Sequence, residues 1–150
     1  MERHRGFTIC TALRAATCLA LVLIGSPLTA SSPREETARE FLSAVEAGDQ
    51  PRINQLTTEW IYAARTTCDK HITLARKQDE VLGGFRRHFK NVKFTLGEFT
   101  HEGDFSFVCA SGQFKGRTVH WLTSFEFRDQ LIKNLLFQEE SPLCEPPQER

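Results

Sequence analysis

Three groups of side chains in this sequence have types and spacing from which chemistry could be built. His120, Ser124 and Glu126 occupy positions of one parity in a strand-like run, so they share a face. A histidine beside a carboxylate suits general acid–base work, because its ordinary pKa lies near neutrality. The opposite parity of the same run carries Val119, Trp121, Thr123, Phe125 and Phe127. That set is far more apolar and claims the inward face, which turns His120 outward. The second group is Cys68-Asp69-Lys70-His71, half of a zinc-like spacing with no second half following it. No metal or other cofactor is expected from it. The third is Cys109, inside a strand-like run with nothing nearby to lower a thiol pKa. The chain has no G-x-S-x-G, no H-E-x-x-H, no Walker loop and no dinucleotide fingerprint.

The chain that positions these groups has 150 residues, the size of one domain. It has 19 basic and 19 acidic residues, without the basic excess that a dedicated nucleic-acid binder needs. With 40% hydrophobic residues and 12 phenylalanines it can build a core. Arg3, Arg5 and Arg14 precede an apolar run over residues 15–25, and Ala30 follows as a small residue at a cleavage position. That pattern predicts a signal peptide over 1–30 and a secreted or periplasmic protein. The apolar run is too short to span a bilayer, so no membrane association is expected after cleavage. Loss of Arg3, Arg5, Arg14 and Glu2 would leave the mature chain slightly acidic.

Three cysteines then remain in an oxidising compartment. Cys68 and Cys144 lie in loop-like or tail segments and Cys109 lies in a strand-like one. A Cys68–Cys144 bridge with Cys109 as a buried thiol is the expected arrangement, and Cys68–Cys109 is its alternative. The former would close a long loop, worth roughly 4–5 kcal/mol in the chain-entropy picture.

Ser32, Pro33 and Glu35 read as a helix start, and Ala38, Phe41, Leu42 and Val45 form one helical stripe up to Gly48. Asp49 and Pro51 restart a short helix with Ile53 and Leu56 inward. Residues 57–63 read as a first strand, and 65–75 are ambiguous between classes. Over 78–89 the apolar residues Val81, Leu82, Phe85 and Phe89 return to helical spacing. Gly83 and Gly84 weaken that helix but could let it approach a sheet closely. The cluster Arg86-Arg87-His88-Lys90 reads as a solvated face. Residues 92–100, 105–114, 118–128 and 131–139 read as strands of an antiparallel meander. The proline-containing tail 141–150 cannot continue a central strand.

These elements place an α+β domain over 31–140, with helices on one face of a sheet. The stretch 38–49, Ala38-Arg39-Glu40-Phe41 through Ala47-Gly48-Asp49, resembles the first helix and Gly-Asp exit of the nuclear transport factor 2-like superfamily, which includes SnoaL-like proteins. Residues 81–89 are similar to its later helix. Glu102-Gly103-Asp104 is similar to its hairpin. Phe125-Glu126-Phe127-Arg128-Asp129-Gln130-Leu131-Ile132 is similar to its final turn, with Gln130 in place of a glycine. A cystatin-like inhibitor shares the layout, but its Q-x-V-x-G hairpin is absent.

The resemblance implies a curved, cone-shaped antiparallel sheet wrapped on the N-terminal helices, with a pocket at the open end. It also implies frequent homodimerisation through the outer sheet face, here His120, Leu122, Ser124 and Glu126. It does not imply one activity. Asp69 and His71 follow the first strand, where some enzymes of the superfamily carry pocket residues; with His120 they are the catalytic candidates. Inward Phe41, Phe85, Trp121, Phe125 and Phe127 can supply an apolar pocket wall. No ionisable group stands among them, so the expectation is a domain that binds a small apolar ligand or a protein partner without catalysis. The alternative is a SnoaL-like isomerase, cyclase or hydrolase acting on a small hydrophobic substrate.

Overall fold

The computed structural model describes residues 31–67 and 70–140, apart from the side chain of Glu140. Residues 1–30, expected above to be a signal peptide, Cys68, Asp69 and the tail with Cys144 lie outside the described residues. From Pro33 onward the described residues form one compact unit. Helix α1 spans Pro33–Ala47 and buries Ala38, Phe41, Leu42 and Ala44. Gly48 leaves it at φ +72°, a left-handed conformation. Asp49 then caps α2, Gln50–Leu56, by accepting from the Arg52 N–H at 3.1 Å.

Six strands follow: β1 Thr57–Thr66, β2 His71–Ala75, β3 Thr95–Glu102, β4 Phe105–Phe114, β5 Arg117–Arg128 and β6 Leu131–Glu140. Helix α3, Val81–Phe89, lies between β2 and β3, entered through a short 3-10 turn at Gln78–Glu80. The sheet order is β2-β1-β6-β5-β4-β3. The meander β3 to β6 is antiparallel as expected. β1, however, pairs with β6 in parallel, so the sheet is mixed rather than wholly antiparallel. The long excursion through α3 and the meander is what allows a parallel neighbour, since a tight hairpin cannot supply one.

Alternation sets the two faces. On β5, Val119, Trp121, Thr123, Phe125 and Phe127 are buried, while His120, Leu122, Ser124 and Glu126 are half-exposed on the outer face. On β4 the inward set is Ser106, Val108 and Ala110. α3 meets the sheet at Gly84, where a Cβ would sit 1.9 Å from the Leu74 carbonyl oxygen of β2. Only glycine permits that approach; the neighbouring Gly83 faces open space. The β5–β6 turn holds Asp129 and Gln130 at φ 50° and 67°. That is the hairpin geometry glycine favours, adopted here by glutamine.

Candidate functional site

The cone's interior is built from one parity of each strand and the apolar side of α3. Phe89 is its hub. Its ring centroid lies 4.9 Å from Phe137, 5.3 Å from Phe94 and 5.5 Å from Trp121. Phe94 in turn lies 5.6 Å from Trp121 and 5.3 Å from Phe137. Most of these contacts are edge-to-face or tilted, the arrangement ring quadrupoles favour. Aromatic rings therefore fill the space that the curvature of the sheet encloses.

Into this packing the fold inserts a charge pair. Arg65 on β1 donates from its Nη2 to Glu139 Oε2 on β6 at 3.0 Å, and both side chains are about nine-tenths buried, at 9% and 11% exposed. Arg65 Nη1 donates to the His88 carbonyl at 3.0 Å. Its guanidinium lies over the Phe89 and Phe114 rings, 5.4 and 4.7 Å from their centroids. Two buried donors nearby have no partner among the described residues: Arg65 Nε and the Trp121 indole Nε1. Register explains the assembly, because Trp121 and Glu139 are cross-strand neighbours and Arg65 pairs with Phe137. Sequence reading missed both ionic partners. The signal was parity: Arg65 follows Ile61 and Ala63 inward, and Glu139 follows Leu135 and Phe137. His88 sits at the edge of this group. Burial, then Arg87, then Arg65 lower its pKa below the ordinary 6.5.

A cleft of about 330 Å³ opens between the end of α1, the exposed side of α3 and the segment 90–94. Leu82, Phe85, Phe89 and Phe94 line it together with Arg86, Lys90 and Lys93. Glu46 also lines it, but its carboxylate already accepts the Phe94 N–H at 2.8 Å. A second hollow, between β2 and α3, is lined by Arg76, Glu80 and Arg87, and Glu80 there accepts the Arg76 N–H at 2.7 Å.

The sequence-derived candidates are distributed as follows. Phe41, Phe85, Trp121, Phe125 and Phe127 are all buried; Phe85 lines the 330 Å³ cleft, and all five belong to the core cluster. His120 lies on the outer face of β5, between Ser111 of β4 and Glu140 of β6. His71 is exposed on the edge strand β2, its Nε2 2.5 Å from the Tyr62 hydroxyl and its Nδ1 3.3 Å from Thr66 Oγ1. The structure does not bring His71 and His120 together. Asp69, Cys68 and Cys144 lie outside the described residues. Cys109 corrects an expectation. It is half-buried on the outer face and disulfide-bonded rather than a buried free thiol. Its strand position placed it in the sheet, but its parity is that of Phe105 and Phe107, not that of the core. Among the described residues there is no group of three metal-ligating side chains, and no helix is long and apolar enough to cross a membrane.

No family model and no curated protein matches the sequence. Solved structures do match the fold. A proposed ketosteroid isomerase from Kribbella flavida superposes with a TM-score of 0.61 at 15% identity, over 83% of this chain and 89% of that one. A nuclear transport factor 2-like protein of unknown function from Cytophaga hutchinsonii gives 0.58 at 15% identity, over 79% and 100%. A proposed SnoaL-like polyketide cyclase from Jannaschia gives 0.57 at 13% identity, over 77% and 90%. The chain therefore has the nuclear transport factor 2-like α+β fold.

Proposed function

We propose that the chain is a secreted or periplasmic binding domain of the nuclear transport factor 2-like class, holding a small apolar ligand without catalysis of its own. The observation that carries the ligand is the cleft of about 330 Å³ lined by Leu82, Phe85, Phe89 and Phe94, while the aromatic filling of the cone speaks against a catalytic pocket there. Rings occupy the cone's interior, and the histidines advanced as acid–base groups, His71 and His120, lie outside it. Fold alone does not decide, since proposed isomerases and cyclases share it. A second reading, a SnoaL-like enzyme acting on a small hydrophobic substrate, is favoured by one feature. The buried Arg65–Glu139 pair beside two unpartnered donors is the kind of polar group an enzyme places in an apolar site. Against it, Glu139 is already engaged by Arg65 at 3.0 Å, among the rings that fill the cone.

Native mass spectrometry of the protein recovered from its expressing cells tests the first reading. The expected species begins near Ser31, carries a bound small molecule and has mass consistent with a disulfide at Cys109. The same spectrum reads the proposed homodimer through the outer face around Leu122. An intact Met1 terminus on the soluble protein would refute export. Turnover of isomerisable or hydrolysable substrates, lost in Glu139→Gln with the fold retained, would replace the binding reading by the enzyme one.

A further inference from the structure

The cleft beside α3 joins two properties in one hollow. Its floor is apolar, from Leu82, Phe85, Phe89 and Phe94. Its rim carries Arg86, Lys90 and Lys93, all exposed, and among the described residues no carboxylate forms an ion pair with any of them. The lone carboxylate of the lining, Glu46, accepts a backbone N–H. Lys90 adds an independent observation. It ends α3 at φ 54° and ψ −121°, a backbone region that non-glycine residues rarely adopt. A lysine held there sets a cation at the lip of the cleft at the expense of backbone ease.

Resting on the binding reading above, we infer that this cleft takes a single-chain amphiphile with an anionic head, a medium-chain carboxylate. The tail lies on the phenylalanine floor and the head is held by Arg86, Lys90 and Lys93. Size agrees: about 330 Å³ holds roughly ten heavy atoms, if each takes the ~30 Å³ share of a water molecule. Charge complementarity selects the head, because a neutral head leaves the three cations unmatched and a cationic one is repelled.

Decanoate, decanol and decyltrimethylammonium, titrated into the purified protein by calorimetry with amide NMR mapping, test this. Decanoate binds, shifts α3 and residues 90–94, and weakens with added salt. Decanol binds at least about tenfold more weakly, and decyltrimethylammonium does not bind. The triple variant Arg86→Glu/Lys90→Glu/Lys93→Glu loses decanoate at least about tenfold, with circular dichroism unchanged. Lys90→Gly is the sharper variant: it raises the melting temperature by relieving the backbone and weakens decanoate. If the triple variant does not fold, Lys90→Gly and Lys93→Gln carry the comparison. Equal affinity for decanoate and decanol overturns the anionic head and leaves the apolar-ligand reading standing. Binding of an acidic peptide in place of decanoate identifies a protein partner and also overturns it. Failure of all three amphiphiles to bind overturns this assignment of the cleft, while the bound mass in the native spectrum decides the binding reading separately.

Discussion

Arg65 is buried beneath two aromatic rings with Glu139 3.0 Å away, whereas Arg86, Lys90 and Lys93 line an open cleft with no ion-pair partner among the described residues. Phe89 belongs to both places: Arg65 stacks over its ring, and the same side chain lines the cleft. The fold thus treats neighbouring cations in opposite ways. A guanidinium taken from water must be matched within the protein, and here a carboxylate, a carbonyl and two rings do so. The rim cations remain hydrated, need no match to fold, and are left available to an anion. Position within a basic-looking sequence does not separate these roles; burial does.

The largest effect expected from this contrast is on stability. Arg65→Met strands the Glu139 carboxylate in the core and should cost about 3–5 kcal/mol in urea unfolding. Arg65→Met/Glu139→Leu should recover most of that, since a buried pair often exchanges for apolar residues at little net cost. Arg86→Glu, by contrast, should move stability by no more than about 0.5 kcal/mol. Equal losses in Arg65→Met and Arg86→Glu would erase the distinction.

Gly84 supports both regions, because it lets α3 lie close enough for the His88 carbonyl to reach Arg65 and for Phe85 to line the cleft. Gly84→Ala meets a backbone oxygen rather than a yielding side chain and should destabilise by about 1–3 kcal/mol. Gly83→Ala meets nothing within 4 Å and should stabilise by up to about 1 kcal/mol through helix propensity. A thermal melt that ranks these two variants the other way would show that the close approach does not govern α3.

Much of this frame was legible in the sequence. Parity on β5 separated Trp121 and Phe125 from His120, and the helical spacing of Val81, Phe85 and Phe89 placed α3. The Gly83-Gly84 pair signalled a close approach, which the structure assigns to Gly84. The edge strand β2 was not legible: five residues with mixed burial carry no periodic signal. Its ambiguity hid the full length of β1, which runs to Thr66, and so hid Arg65 as an inward residue. β6 was recognised, but no local pattern announces that a strand will pair in parallel with one so distant in sequence. The Arg65–Glu139 contact depends on that pairing. Val92 and Phe94 read as strand residues, yet they precede β3 and line the cleft, because strand boundaries follow hydrogen bonding rather than hydrophobicity.

The smallest expected effect is at His88, beside the buried pair. Its carbonyl accepts from Arg65, and burial, Arg87 and Arg65 in that order lower its imidazole pKa. Well above pH 6.5 the imidazole is neutral in both folded and unfolded chains, and stability owes it no pH dependence. As the pH falls through 6.5, the unfolded chain takes up the proton first, so stability declines until the folded imidazole is protonated as well. Arg87→Gln removes the larger of the two guanidinium effects and should raise the His88 pKa in an NMR titration of the folded protein. It should also narrow the pH interval over which stability falls. Arg65→Met/Glu139→Leu should raise the same pKa by less. Burial persists in both variants, so neither restores 6.5. An unchanged His88 titration in both would assign the whole shift to burial and leave neither guanidinium with an electrostatic effect on it.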